Sequence, residues 1–77
     1  MITVLLFAQL KEAAGTNQIE LDAEEMTVGE LKQALIEAYP FNQNDISFVA
    51  VNETYAGKEA VVRKGDTVAL IPPVSGG

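Results

Sequence analysis

The sequence predicts an α+β domain, a small mixed sheet with one long helix lying across one of its faces. Three observations carry that expectation. The patterned segments run strand, strand, long helix, strand, strand; a capping-box spacing marks the start of the helix; and the first and last segments are the most apolar strands in the chain, which places them side by side at the centre of the sheet. At 77 residues the chain makes one domain with one small core.

The first segment, Ile2 to Ala8, is β-branched and apolar on both alternating faces, as a central strand is. Leu10 to Ala14 carries helix formers and stops at Gly15, so one or two helical turns are expected, with Gly15 as the C-terminal stop. Gln18 to Asp22 alternates strictly, with Ile19 and Leu21 inward and polar side chains outward, the pattern of a half-exposed edge strand. Thr27 and Glu30 then stand in capping-box spacing ahead of Val28, Leu31, Leu35 and Ala38, which recur at helical intervals up to Pro40. Pro40 ends this helix by disfavouring helical backbone at Tyr39. Asn42 to Asp45 is loop by composition, Ile46 to Val51 a third strand closing at Asn52, and Tyr55 to Lys58 a turn or short irregular strand. Arg63 to Asp66 is a polar turn, and Thr67 to Ile71 the last strand.

Two central strands this apolar on both faces exceed what one covering helix requires. Either loops of the domain cover the second face or another protein does. Leu5, Phe7 and Ile71 are the residues expected to be partly exposed there.

The inventory of side chains restricts the chemistry. The chain has no cysteine, histidine or tryptophan, so it offers no thiol nucleophile, no imidazole base, no disulfide and no zinc site of the usual kind. No metal site and no bound cofactor are expected. Five Lys and Arg against eleven Asp and Glu give a formal net charge of −6, which repels a phosphate backbone and speaks against nucleic acid as a partner. Met1-Ile2-Thr3 supplies no positive stretch, and the apolar run from Val4 to Ala8 is far short of the roughly 20 residues of a membrane span. With no cysteine, no leader and no anchor, the reading is a cytoplasmic globular protein.

The C-terminal segment is the unusual object. Pro72 and Pro73 follow the last strand directly; neither has a backbone donor, and both favour an extended lead-out. Beyond Val74, Ser75-Gly76-Gly77 has almost no side chain and could enter a slot too tight for a bulky residue. The expected organisation is a domain over residues 1–71 and a flexible tail over 72–77. On a domain without cysteine or histidine, this ending points to a reactive terminus.

The opening Val4-Leu5-Leu6-Phe7-Ala8-Gln9-Leu10-Lys11-Glu12 with Gly15 following, the Asn52 of Ala50-Val51-Asn52, and above all the run from Asp66 to the closing Pro-Pro-Val-Ser-Gly-Gly resemble the small subunit of molybdopterin synthase. The resemblance covers the whole chain. It implies a ubiquitin-like β-grasp fold, with which the order of elements agrees, and the activity of a sulfur carrier. In that family an ATP-dependent activating enzyme adenylates the terminal carboxylate, and a sulfur donor converts the AMP ester into a thiocarboxylate. The tail then enters the large catalytic subunit and delivers sulfur to a cyclic pyranopterin monophosphate, forming the dithiolene of the molybdenum cofactor. The resemblance further suggests two copies of each subunit in a heterotetramer.

Carried over residue by residue, Gly77 is the reacting position, Gly76 and Ser75 line the tail, and Pro72, Pro73 and Val74 aim it. Leu5, Phe7 and Ile71 would form part of a docking face shared by the activating enzyme and the large subunit. Lys11 is either a rim charge near the tail or a solvated surface lysine. The catalytic pocket would belong to the partner, since this chain has no active site of its own.

Rival readings remain. A thiazole-synthesis sulfur carrier shares fold and Gly-Gly chemistry but is usually shorter and lacks the Pro-Pro lead-out. A ubiquitin-like protein modifier often carries an arginine where this chain has Ser75. The last is a plain interaction domain with an inert tail.

Overall fold

The two most apolar segments, β1 (Ile2–Leu6) and the last strand, Thr67–Ile71, lie side by side as the sequence leads one to expect, and they pair in parallel, Thr3 opposite Thr67 and Leu6 opposite Leu70. The computed structural model describes residues 1–73. In chain order the remaining elements are α1 (Ala8–Ala14), β2 (Gln18–Leu21), β3 (Glu25–Thr27), α2 (Val28–Ala38), a 3-10 turn at Gln43–Asp45, β4 (Phe48–Val51), β5 (Thr54–Tyr55), β6 (Val61–Arg63) and the closing strand, β7. The main sheet has the order β2-β1-β7-β4-β5, mixed in direction, with β2 on one edge and β5 on the other.

Alternation along the strands assigns the faces. Ile2, Val4 and Leu6 of β1, Val68 and Leu70 of β7, Val49 of β4 and Ile19 of β2 point to one side and are buried. Val28, Leu31 and Leu35 of α2 and Leu10 of α1 close over them. The helix lies there because its apolar residues recur at 3, 4 and 7 positions, one stripe wide. Its start is fixed by the expected capping box: the Glu30 N–H donates to Thr27 Oγ1 at 3.1 Å, and the Thr27 N–H donates to Glu30 Oε1 at 2.9 Å. It ends at Tyr39, whose backbone is extended ahead of Pro40. Gly15 closes α1 in the left-handed region (φ 77°), its N–H donating to the Lys11 carbonyl.

Several boundaries differ from the sequence reading. The strand expected over Ile2 to Ala8 stops at Leu6, and Ala8 instead opens α1 with a left-handed backbone (φ 48°). The third strand begins at Phe48 rather than Ile46, whose side chain is buried in the core. The loop at Asn42 to Asp45 contains one 3-10 turn, and the irregular segment after Asn52 forms β5 one residue earlier than expected. Strands β3 and β6 were not expected; they pair antiparallel as a separate two-stranded ribbon, with Met26 opposite Val62. Val62 is fully buried, so this ribbon closes one end of the core.

The Asn noted in the sequence has a scaffolding role. Asn52 and Glu53 both have positive φ (51° and 70°), forming the two-residue turn between β4 and β5. Asn52 Oδ1 accepts from the Thr67 N–H at 3.0 Å and its Nδ2 donates to Asp66 Oδ1 at 3.1 Å, tying this turn to the start of β7. Asp66 also accepts from the Arg63 N–H at 2.8 Å. No helix among the described residues is long and apolar enough to cross a membrane.

Candidate docking site

The face of the sheet opposite α2 carries the site. Its composition follows from strand parity: Thr3, Leu5 and, continuing the strand, Phe7; Thr67, Ala69 and Ile71; Phe48 and Ala50; and Tyr55, which is paired with Ala50. The face is divided along the strands. At one end Thr3 sits opposite Thr67 and donates its hydroxyl to Glu20, a polar surface. At the other end one row runs Tyr55, Ala50, Ala69, Leu5, and the next holds Phe48 opposite Ile71, with Phe7 one position beyond Leu6.

This apolar end stays open. Phe7 is 47% exposed, Phe48 58% and Tyr55 71%, while Leu5 and Ile71 are half-buried, as expected of them. Three exposed aromatics around small central alanines form a patch with projecting rings and a shallow middle, the sort of surface that marks a protein contact. The Phe48 and Tyr55 rings stack at 5.5 Å with an interplanar angle of 30°, which orders two exposed side chains before any partner arrives.

Local backbone explains why Phe7 projects. Its own backbone is extended (φ −133°, ψ 155°), and its carbonyl accepts from the Leu10 N–H at 3.0 Å, anchoring the first turn of α1. The left-handed Ala8 then swings the chain out of the sheet. Beside it, Leu5, Phe7, Lys11, Asn17 and Gln18 line a groove of about 300 Å³. Lys11 is exposed and lines this groove beside Phe7.

The tail leaves from the apolar end. The Ser47 N–H donates to the Ile71 carbonyl at 2.9 Å, after which Pro72 is half-buried and Pro73 exposed. The remaining sites read from the sequence, Val74, Ser75, Gly76 and Gly77, lie outside the described residues. Phe48 and Tyr55 were missed as site residues. The signal for Phe48 was present, because in Phe48-Val49-Ala50-Val51 it shares parity with Ala50 and opposes the inward Val49. Tyr55 had none, since its face is decided only by pairing with Ala50.

Electrostatics add little at the face itself. Arg63 and Lys64 are engaged with Glu25 and Glu24 at 3.3 and 3.4 Å, on the β3–β6 ribbon and its turn. Asp66 is held below the ordinary carboxylate range by the bond from the Arg63 backbone, then by that from Asn52, with the Arg63 charge assisting.

A mixed five-stranded sheet with a helix across one face, and an open apolar patch where its last strand runs out, defines a ubiquitin-like β-grasp domain. The chain belongs to the ThiS family, whose model matches residues 4–77. It is a homologue of molybdopterin synthase sulfur carrier subunits: that of Escherichia coli is 38% identical, with 100% of both chains covered. Among solved structures, the small archaeal modifier protein 1 of Methanosarcina acetivorans superposes with a TM-score of 0.78 at 29% identity, covering 99% of this chain and 95% of that one. The crystal structure of the Haloferax volcanii protein of the same name gives 0.75 at 34% identity, over 99% and 98%.

Proposed function

We propose that this chain is the sulfur-carrying subunit of a molybdopterin synthase, with residues 1–71 as the docking domain and 72–77 as the working tail. The observation that carries the reading is the open apolar face at the foot of the Pro72-Pro73 lead-out, on a chain whose family match runs to Gly77. Its curated relatives are named as subunits of that synthase, which supports a large catalytic subunit as one partner; two copies of each subunit in the assembly belong to the same proposal.

The chemistry proceeds at the backbone terminus. A free carboxylate is a poor electrophile; an activating enzyme joins the Gly77 carboxylate oxygen to the α-phosphate of ATP, releasing pyrophosphate and leaving an AMP ester. Sulfide released by a donor attacks the acyl carbon, AMP departs with the acyl C–O bond electrons, and a thiocarboxylate remains. Gly76 and Gly77 present no Cβ near the reacting carbon, so neither attack is hindered. In the synthase the thiocarboxylate sulfur displaces an oxygen substituent at a side-chain carbon of the cyclic pyranopterin monophosphate, water cleaves the acyl–sulfur bond to regenerate the carboxylate, and a second carrier supplies the second sulfur of the dithiolene. General acids and bases come from the partners, because this chain has no histidine. Activating enzyme and large subunit compete for one face made of Leu5, Phe7, Phe48, Tyr55 and Ile71, with Lys11 at its rim. The carrier works in the cytoplasm, with no metal or cofactor of its own.

The modifier names of the structural neighbours favour one second reading, conjugation of Gly77 to protein lysines. Intact-mass measurement on protein from its native host separates the two. A fraction with one terminal oxygen replaced by sulfur is expected; lysine-linked adducts without any thiocarboxylate would establish the modifier instead.

A further inference from the structure

A second groove, of about 440 Å³, lies around the β5 edge between the sheet and the start of α2. Val28, Val49 and Ala56 make its apolar floor, and Phe48 and Tyr55 its wall. Lys32 and Lys58 both line it, and both also line a smaller adjoining hollow of about 170 Å³ with Gly29, Gln33 and Ile36. Neither groove is lined by a carboxylate, in a chain with eleven of them. Among the described residues neither lysine has an ion-pair partner, unlike Arg63 and Lys64.

The backbone holds this pair together. The Gly29 N–H donates to the Lys58 carbonyl and the Val28 N–H to the Ala60 carbonyl, each at 2.9 Å, so the loop carrying Lys58 is clamped onto the first turn of α2. A Cβ on Gly29 would stand 3.3 Å from the Lys58 oxygen, so the close approach is fitted to glycine. Lys32 follows three residues along the same helix face. Two lysines thus line one partly apolar groove whose lining holds no acidic side chain, a local charge that suits an anionic neighbour.

We propose that this groove binds an acidic segment of a partner protein, one that sets an apolar side chain on the floor and carboxylates against Lys32 and Lys58. A protein segment fits better than a free anion because the floor is apolar, and because Phe48 and Tyr55 belong both to the groove and to the sheet face, making the two surfaces continuous. The proposal rests on the docking-face reading and is independent of what Gly77 carries.

The test is an amide-shift NMR titration of the full chain with the capped peptide Asp-Glu-Leu-Glu-Asp, against its Asn-Gln-Leu-Gln-Asn counterpart and against AMP. Saturable shifts are expected at Lys32, Tyr55, Gly57 and Lys58, weakened by salt. The double substitution Lys32→Gln, Lys58→Gln should loosen binding about fivefold, the scale of two exposed ion pairs, with unchanged spectral dispersion. Should that pair of changes disturb the fold, Lys58→Gln alone, on the exposed loop, together with the salt dependence, decides the matter. Equal affinity for the neutral peptide, shifts confined to Leu5, Phe7 and Ile71, stronger binding of AMP at the same amides, or no binding at all would each overturn the proposal. Failure of the sheet-face reading shows separately, as a Phe7→Ala variant that docks on the large subunit normally, since Phe7 does not line this groove.

Discussion

Replacing Phe48 by alanine separates a docking residue from a core residue, because the ring is divided between the two roles. It is 58% exposed, so of the roughly 200 Å² that a Phe side chain can bury, about 115 Å² stays in water until a partner covers it. At about 25 cal/mol per Å² that area contributes about 3 kcal/mol to docking when fully covered, or about a hundredfold in Kd. The remaining, already covered portion is about 85 Å², an upper bound of about 2 kcal/mol to the monomer that falls to about 1.5 once the compact denatured chain is allowed for. A fully buried Phe would lose about 3–5 kcal/mol on the same change. Two measurements decide: urea denaturation of the isolated chain, and calorimetric titration onto the large catalytic subunit. The expected result is a monomer stability lowered by about 1.5–2 kcal/mol and docking weakened by about 30- to 100-fold. A loss above about 3 kcal/mol in the monomer with docking changed less than threefold would refute the assignment of this face.

Further expectations concern the tail, the cap and the acid limb. Deleting Gly77 draws the terminal carboxylate back by one residue, to Gly76, out of reach of the partners' reacting groups, while leaving every described contact in place, so sulfur transfer in a reconstituted assay should vanish at an unchanged melting temperature; residual transfer would reject the scheme. Thr27→Ala removes the oxygen that accepts the Glu30 N–H and should cost about 1 kcal/mol in denaturation with docking affinity unaltered. Asp66 has its folded-state pKa lowered by the Arg63 N–H and Asn52, so the unfolded chain binds its proton more readily than the folded one. The stability this supplies is therefore complete above the ordinary carboxylate value and lost as pH falls through the lowered one; an Asp66→Asn variant should show a flatter acid-denaturation profile, and an identical profile would remove Asp66 from the account.

What could be read from the sequence divides by the range of the interactions. The start of α2, the Gly15 stop and the last strand came out to within a residue because each is decided by neighbours in the chain: a hydroxyl three positions from a glutamate, a glycine able to take φ 77°, an alternating apolar run bounded by Gly65-Asp66 and Pro72. Strands β3 and β6 were not legible, since three residues are too few to show a period and Glu25–Thr27 finds its partner about 36 positions on, at Val61–Arg63. The end of β1 was misread for a related reason. Ala8 is apolar and extends the run by composition, yet it takes a left-handed backbone that composition does not signal. Within the site, Leu5, Phe7 and Ile71 followed from a surplus of apolar residues over what one helix covers. Tyr55 became a site residue only through its pairing with Ala50, a contact the local sequence does not encode.

The position of the tail follows from where the neighbours of β7 stop. On one side β1 pairs as far as Leu6 opposite Leu70, and the turn at Ala8 then carries the chain away. On the other side β4 starts at Phe48 opposite Ile71, and the Ser47 N–H adds one further bond to the Ile71 carbonyl. The next residue is Pro72, which has no N–H to offer either flank, so the ladder cannot extend from β7. The central strand of the sheet therefore runs out past both neighbours at one level, and the same level holds Phe7 and Phe48 on either side. On the proposed function, a partner that covered these two rings would be seated where the chain leaves β7, and affinity for the face would raise the local concentration of Gly77 at the partner's own catalytic groups. That coupling needs no conformational change in the domain. It asks only that the apolar patch and the last paired residue stand at the same edge of the sheet.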